Sequence, residues 1–246
     1  MVKDHLPRLR RELGLDVVLA NGENASGGLG ISAKCAMELR RCGVDVLTTG
    51  NHVWKFPDIR PLLDSEAWLL RPANFPESAP GRGLTVHSLG EGKGDLAVVN
   101  LQGRTFMDAI DCPFAAAERL LADIPPGLPI VVDMHAEATS EKRALAHMLR
   151  GRAQAVVGTH THVQTNDACI LEGVTGYISD LGMCGPEDSC LGMENDVILR
   201  KFRSGIPQRF ELAKGPCMMC GALIELDRGT CLSIKPWQYR EHKEES

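Results

Sequence analysis

The sequence predicts an α/β fold built on a mixed sheet. Short apolar runs recur along the chain, helix-like segments alternate with them, and one pair of runs flanks a glycine-rich turn in the manner of a hairpin. At 246 residues the chain is long enough for one substantial core, and the expectation is a single domain over residues 1–246.

Taken in order, MVKDHLPRLRREL reads as a polar helix, and DVVLA (16–20) as the first strand. A helix over 32–42, the strand DVLTT (45–49) and a helix near 58–63 follow. LTVHSL and LAVVNL flank GEGKG (90–94) as the hairpin. A helix over 114–124, the strand PIVVDM, a helix over 140–150 and the strand AQAVVG continue the alternation. Beyond His162 the pattern loosens into strands at 170–180 and 217–239, and segment 183–194 is read as an active-site loop.

Composition excludes several classes. No apolar run is long enough to span a bilayer, and no export signal opens the chain, so a cytoplasmic protein is expected. Nine scattered cysteines, an odd number, suit reduced thiols better than a disulfide framework. A net charge of -5 without a basic patch argues against extended DNA binding, and 4% aromatic content leaves few stacking platforms for single strands. A small phosphorylated substrate needs only a local cation. Homo-oligomer formation stays open at this level.

The chemistry lies at four strand ends. VVLA runs into NGEN, VLTTG into NH, VVDM into HAE and VVG into THTH. In open α/β sheets ligands gather beyond the carboxyl ends of strands, so Glu23, Asn24, Asn51, His52, His135, His160 and His162 are expected at one rim. His160 and His162 are two apart, and an extended segment would turn both imidazoles the same way. Imidazole, carboxylate and amide oxygens suit iron, manganese, zinc or a mixed pair. Glu23 has two oxygens with which to bridge two ions, and a pair about 3.5–4 Å apart would clamp a phosphoryl group. Each component has a plain alternative. A lone His after a strand is more often a hydrogen-bonded loop residue, and NGEN could simply cap a helix. Coincidence at four strand ends weighs against that alternative.

The segments NGENASGG, TTGNHVW, LLRPANFP, VVNLQGRTFM, VDMHAEATSEK and VVGTHTHVQT resemble the YmdB-like metallophosphoesterases of the calcineurin-like superfamily, over nearly the whole chain. The resemblance implies a four-layer α/β/β/α sandwich and a site with two divalent metal ions, iron or manganese. It also implies action on small phosphodiesters, cyclic nucleotides among them. Carried over by position, Glu23 bridges both ions, Asn24 and His162 complete the first, and Asn51, His135 and His160 hold the second. A metal-bound hydroxide would attack phosphorus, with His52 as the general acid for the leaving alkoxide.

Two departures stand out. Val53 follows His52 where the superfamily often has an acid, so the orienting partner of His52 is unidentified. Family members begin with an inner strand ending in Gly-Asp, whose Asp binds a metal. That strand is missing here, and Asp4 lies within a predicted helix as a poor substitute, so an N-terminally incomplete domain is expected. The alternative reading is a catalytically weak or inactive nucleotide-binding or regulatory protein of the same fold. Monoester and diester substrates are not separable by sequence.

Other features carry less. GGLG (27–30) lacks the ending of a P-loop and is read as a flexible rim loop. Cys217-Met-Met-Cys220 has no second pair and is read as buried core thiols. Arg71 and Arg104 are either phosphate contacts or structural partners, while Asp133 and Glu137 either orient His135 or are solvated acids.

Overall fold

The computed structural model describes residues 1–227 and 229–241. The chain runs α1 (Val2–Glu12), β1 (Leu19–Asn21), α2 (Ala33–Arg41), β2 (Val46–Thr48), α3 (Ile59–Ser65), β3 (Leu84–Ser88) and β4 (Asp95–Gln102). It continues with α4 (Pro113–Ala122), β5 (Ile130–His135), α5 (Thr139–Met148), β6 (Ala155–Thr159), β7 (Cys169–Leu171) and β8 (Thr175–Ile178). It closes with β9 (Cys184–Pro186), α6 (Asn195–Ser204), β10 (Cys217–Asp227) and β11 (Thr230–Arg240).

The main sheet has six strands in the order β3-β4-β5-β6-β8-β7, antiparallel at both edges and parallel through β4, β5, β6 and β8. Its mixed character follows from the two kinds of connection: GEGKG closes the tight β3–β4 hairpin, while α4 and α5 carry the parallel crossovers. Because side chains alternate along a strand, Val99 and Leu101 of β4 and Val132 and Met134 of β5 face one core with α4 and α5. Val98 and Val131 face the other way, onto Val46, Leu70 and Ile224.

That second interface is the middle of the molecule. Opposite the main sheet lie the parallel pair β1–β2 and the ladder β11-β10-β9, with Ile224 and Leu226 of β10 shared between the two interlayer clusters. On the far side of β2, Leu47 joins Leu6, Ala36, Ile59 and Leu63 from the first three helices. The order is therefore helices, sheet, sheet, helices. The second β layer is two ladders rather than one continuous sheet: among the described residues β1 pairs only with β2, and all three of its residues are half-buried.

Three expectations need correction. The first strand begins at Leu19 rather than Asp16, because the Val18 amide is taken by the Asp45 side chain, at 2.8 Å, before the ladder starts. The opening helix is amphipathic rather than merely polar, burying Leu6 and Leu9. Helix α6 stands where the pattern predicts irregular chain; it buries only Val197 and Ile198, and its end is set by Gly205 in the left-handed conformation at φ 69°.

Candidate metal centre

The strand ends meet as the parallel order requires. Glu23 and Asn24 follow β1, Asn51 and His52 follow β2, His135 ends β5, and His160 and His162 follow β6. Short distances tie them together. His135 Nε2 stands 3.0 Å from Asn51 Oδ1, 3.1 Å from His160 Nδ1 and 3.2 Å from Glu23 Oε1. Asn24 Nδ2 lies 3.0 Å from Glu23 Oε1 and 3.2 Å from His162 Nε2. Donor atoms of Glu23, His135 and His160 all fall within 4.8 Å of one another. Two groups share Glu23: Asn51, His135 and His160 on one side, Asn24 and His162 on the other.

His160 and His162 do not face one site by strand periodicity, as their spacing suggests. β6 stops at Thr159, and both residues take positive φ, 104° and 65°, a conformation costly for side chains of this size. The turn sends His160 to His135 and His162 to Asn24. Thr161 between them donates its amide to Asp180 at 2.9 Å, and Asp180 is itself held by a fully buried Lys142 at 2.8 Å.

Supporting bonds fix the rings. Thr159 Oγ1 lies 2.9 Å from His135 Nδ1 and donates to Asp133 Oδ1 at 2.7 Å, so Asp133 orients His135 through Thr159. Asn21 also donates to Asp133, at 3.0 Å. Glu137 turns instead to His160 Nε2, at 3.1 Å. His52, more exposed than His135 and His160, sets Nδ1 at 3.0 Å from Asn24 Oδ1 and 3.3 Å from Glu23 Oε1; these are the partners the sequence left unidentified.

The electrostatics suit a cation. Burial works to raise the Glu23 carboxyl, but bonds from His135 and His52 outweigh it and hold the group far below the usual carboxylate range. Its ion-pair partners are these imidazoles and no Lys or Arg among the described residues. Burial pushes His160 down to about 4 and lowers His162 as well, keeping both rings neutral and able to ligate near pH 7. Burial raises the Asp133 carboxyl against the pull of His135 and its hydrogen-bond donors.

The donor set fits a metal ion on two further grounds. Ligand atoms around a cation about 2.0–2.2 Å away stand roughly 3.0–3.4 Å apart, and His135 Nε2 stands at 3.0–3.2 Å from Asn51 Oδ1, His160 Nδ1 and Glu23 Oε1. Gly50 supplies the space: a Cβ on it would lie 2.2 Å from His135 Nε2 and 2.4 Å from Glu23 Oε2. Asn51 already turns its oxygen to the donors and its Nδ2 to His52, at 3.2 Å. Asn24 turns its nitrogen to Glu23 and His162, so a ligand role requires its amide to rotate by a half-turn.

Sequence reasoning missed Gly50, Asn21, Thr159, Lys142 and Asp180; the available signal was a polar residue closing an apolar strand, as Asn21 closes β1 and Thr159 closes β6. Arg71 is structural, buried and spent on the carbonyls of Pro72, Ala79 and Pro80. Asp4 sits on α1 with its side chain largely exposed. Cys217 and Cys220 are half-buried rather than core thiols. The GGLG segment is not a free loop, since Gly28 and Gly30, both at φ 83°, pack against Met193 and Lys55.

Fold and site together define a phosphoesterase of mixed α/β architecture, with a candidate metal centre at the carboxyl rim of its strands. The family described as YmdB-like protein matches residues 1–237, and the chain belongs to that family. A 2′,3′-cyclic-nucleotide 2′-phosphodiesterase of Bacillus subtilis is 45% identical over 236 residues, covering 96% of this chain and 89% of the relative. A crystal structure of a hypothetical protein from Thermus thermophilus superposes with TM-score 0.91 at 42% identity, covering 98% of this chain and 93% of that one. A novel phosphatase of Mycoplasma pneumoniae superposes with TM-score 0.90 at 29% identity, covering 99% and 89%.

Proposed function

We propose that the chain hydrolyses 2′,3′-cyclic nucleotides, opening the ester at the 2′ oxygen, and does so with two divalent ions held around Glu23. The observation that carries this reading is the convergence of neutral imidazoles, amide oxygens and a buried carboxylate on two adjoining positions, in a chain 45% identical to an enzyme of that name. Asn51, His135 and His160 would hold one ion, Asn24 and His162 the other, and Glu23 both. This donor set of imidazole, carboxylate and amide without thiolate is compatible with iron or manganese, the ions that the family resemblance implies. When bound, such ions supply Lewis acidity toward the phosphoryl oxygens and a more acidic water for in-line attack.

The chain's own residues do the rest. Glu23, fixed by the His52 amide at 3.1 Å, keeps the two donor groups in register. Asp133, through Thr159, keeps the His135 ring turned inward, and Glu137 does the same for His160. Glu23 Oε1, 3.3 Å from His52 Nδ1, holds the proton on that atom, and Nε2 of the doubly protonated ring, which lies 3.2 Å from Asn51 Nδ2 before substrate takes that place, is the atom from which a proton passes to the departing 2′ oxygen. The phosphoryl group ends as a 3′-monoester, and the leaving oxygen as a hydroxyl. Among the described residues no helix is long and apolar enough to cross a membrane, and nine free cysteines fit a reducing, cytoplasmic setting.

The test is product analysis. Manganese-loaded protein given adenosine 2′,3′-cyclic phosphate should yield the 3′-phosphate, with His52→Ala slower by about 10²–10⁴. Turnover undiminished in His52→Ala would remove the acid role, and a 2′-phosphate product would reverse the assignment of the broken bond.

A further inference from the structure

Phe106 is the most exposed large apolar side chain among the described residues, at 90%, and its backbone sits at φ 60°. Both features cost free energy: a bulky residue resists the left-handed region, and an aromatic ring left in water forgoes its burial. They persist because the loop around them is held from several directions. The Gly103 amide donates to the His135 carbonyl at 2.9 Å, Glu141 accepts from the amides of Arg104 and Thr105 at 3.0 and 3.3 Å, and the Met107 amide closes the turn onto Arg104. Gly103 itself leaves no room for a side chain, its Cβ position lying 2.4 Å from Glu141 Oε2 and 2.6 Å from Ala136 Cβ. Met107 tucks under the loop against the main core.

The loop therefore holds the Phe106 backbone in place and leaves its ring open to water. The Gly103 amide hydrogen-bonds the backbone carbonyl of the metal-ligand candidate His135, Gln102 pairs with His135 where β4 and β5 end, and three residues of chain reach at most about 11 Å, so Phe106 follows β4 on the same carboxyl rim as the donors. An aromatic face open to water next to a phosphoryl site matches the face of a nucleobase, which stacks without regard to base identity. Arg104, exposed at the same turn, adds a cation to that flank.

We propose that Phe106 is the base-stacking residue of the site and sets a preference for nucleoside over base-free cyclic phosphates. The proposal rests on the phosphodiesterase reading above and adds the part of the substrate that the metal donors do not see.

The experiment compares adenosine 2′,3′-cyclic phosphate with methyl riboside 2′,3′-cyclic phosphate, using manganese-loaded wild type, Phe106→Ala, Phe106→Leu and Phe106→Trp. Loss of the ring should lower the ratio of kcat/KM for the nucleoside over the base-free ester by roughly five- to a hundredfold, through KM. Leu should behave as Ala does, and Trp should retain the ratio. An unchanged ratio in Phe106→Ala overturns the proposal. If the wild type hydrolyses neither ester, the phosphodiesterase reading fails separately. Calorimetric binding of adenosine 3′-phosphate then decides: weaker binding to Phe106→Ala than to wild type supports the stacking role, and equal binding sinks it.

Discussion

Gly50→Ala adds one methyl group at the centre of the site. The new Cβ would lie 2.2 Å from His135 Nε2, 2.3 Å from His135 Cδ2 and 2.4 Å from Glu23 Oε2. Relief to an ordinary contact of about 3.4 Å requires a shift of roughly 1.2 Å in the ring or in the β2 backbone. Neither yields easily. His135 is 1% exposed and tied through Thr159 to Asp133, while Glu23 is 2% exposed and receives the His52 amide. A displacement near 1 Å at reacting groups costs on the order of 10²-fold in rate, and overpacking costs about 1–3 kcal/mol in stability. Elemental analysis of dialysed protein, steady-state turnover and thermal unfolding should be read together. Bound metal should fall with the rate, and Tm should drop by several degrees for a chain of this size. A variant that keeps its metal content and turns over within a factor of two of wild type would show that the cradle under Gly50 is not the metal site.

Further outcomes follow from the supporting bonds. Asp133→Asn should weaken metal binding by about 10- to 100-fold while the fold survives, read by competition with a chelating dye; unchanged affinity would deny Asp133 its orienting role. Lys142→Met leaves Asp180 buried and unpaired, and should cost about 3–5 kcal/mol by denaturant unfolding. In the double variant Lys142→Met with Asp180→Leu much of that stability should return. Activity should stay low, because Asp180 also holds the Thr161 amide between His160 and His162; recovery of full activity would refute the coupling. Arg71→Lys should lower stability without touching the KM for a phosphodiester, since among the described residues the guanidinium serves only carbonyls of the 72–80 segment.

Much of this architecture is legible in the sequence because it is written in periodicity. The β3–β4 hairpin is readable from two apolar runs around GEGKG, and α2 from the helix-like pattern over 32–42, at whose start the Ser32 hydroxyl accepts the Cys35 amide at 3.3 Å. Helix α6 is not readable: its buried face is only Val197 and Ile198, while Leu199, Phe202 and Ile206 around them are exposed, so no clean stripe marks it. At the site, the candidate donors can be named because they follow apolar strands, and the structure brings them together. Their division comes from the family resemblance and not from strand periodicity, because it depends on the left-handed turns at His160 and His162, which a strand-based reading of THTH excludes. Gly50 escapes notice for a related reason, since its contribution is an empty space defined by residues 27 and 85 positions away in the chain.

The most direct test of the central account is a titration of metal-stripped protein with manganese or ferrous iron, following hydrolysis of adenosine 2′,3′-cyclic phosphate beside the His160→Ala and His162→Ala variants. The account predicts no turnover without metal, a rise that levels at two equivalents, and a separate loss of one equivalent in each variant. Turnover by the stripped protein, or both variants binding as much metal as wild type, would contradict it.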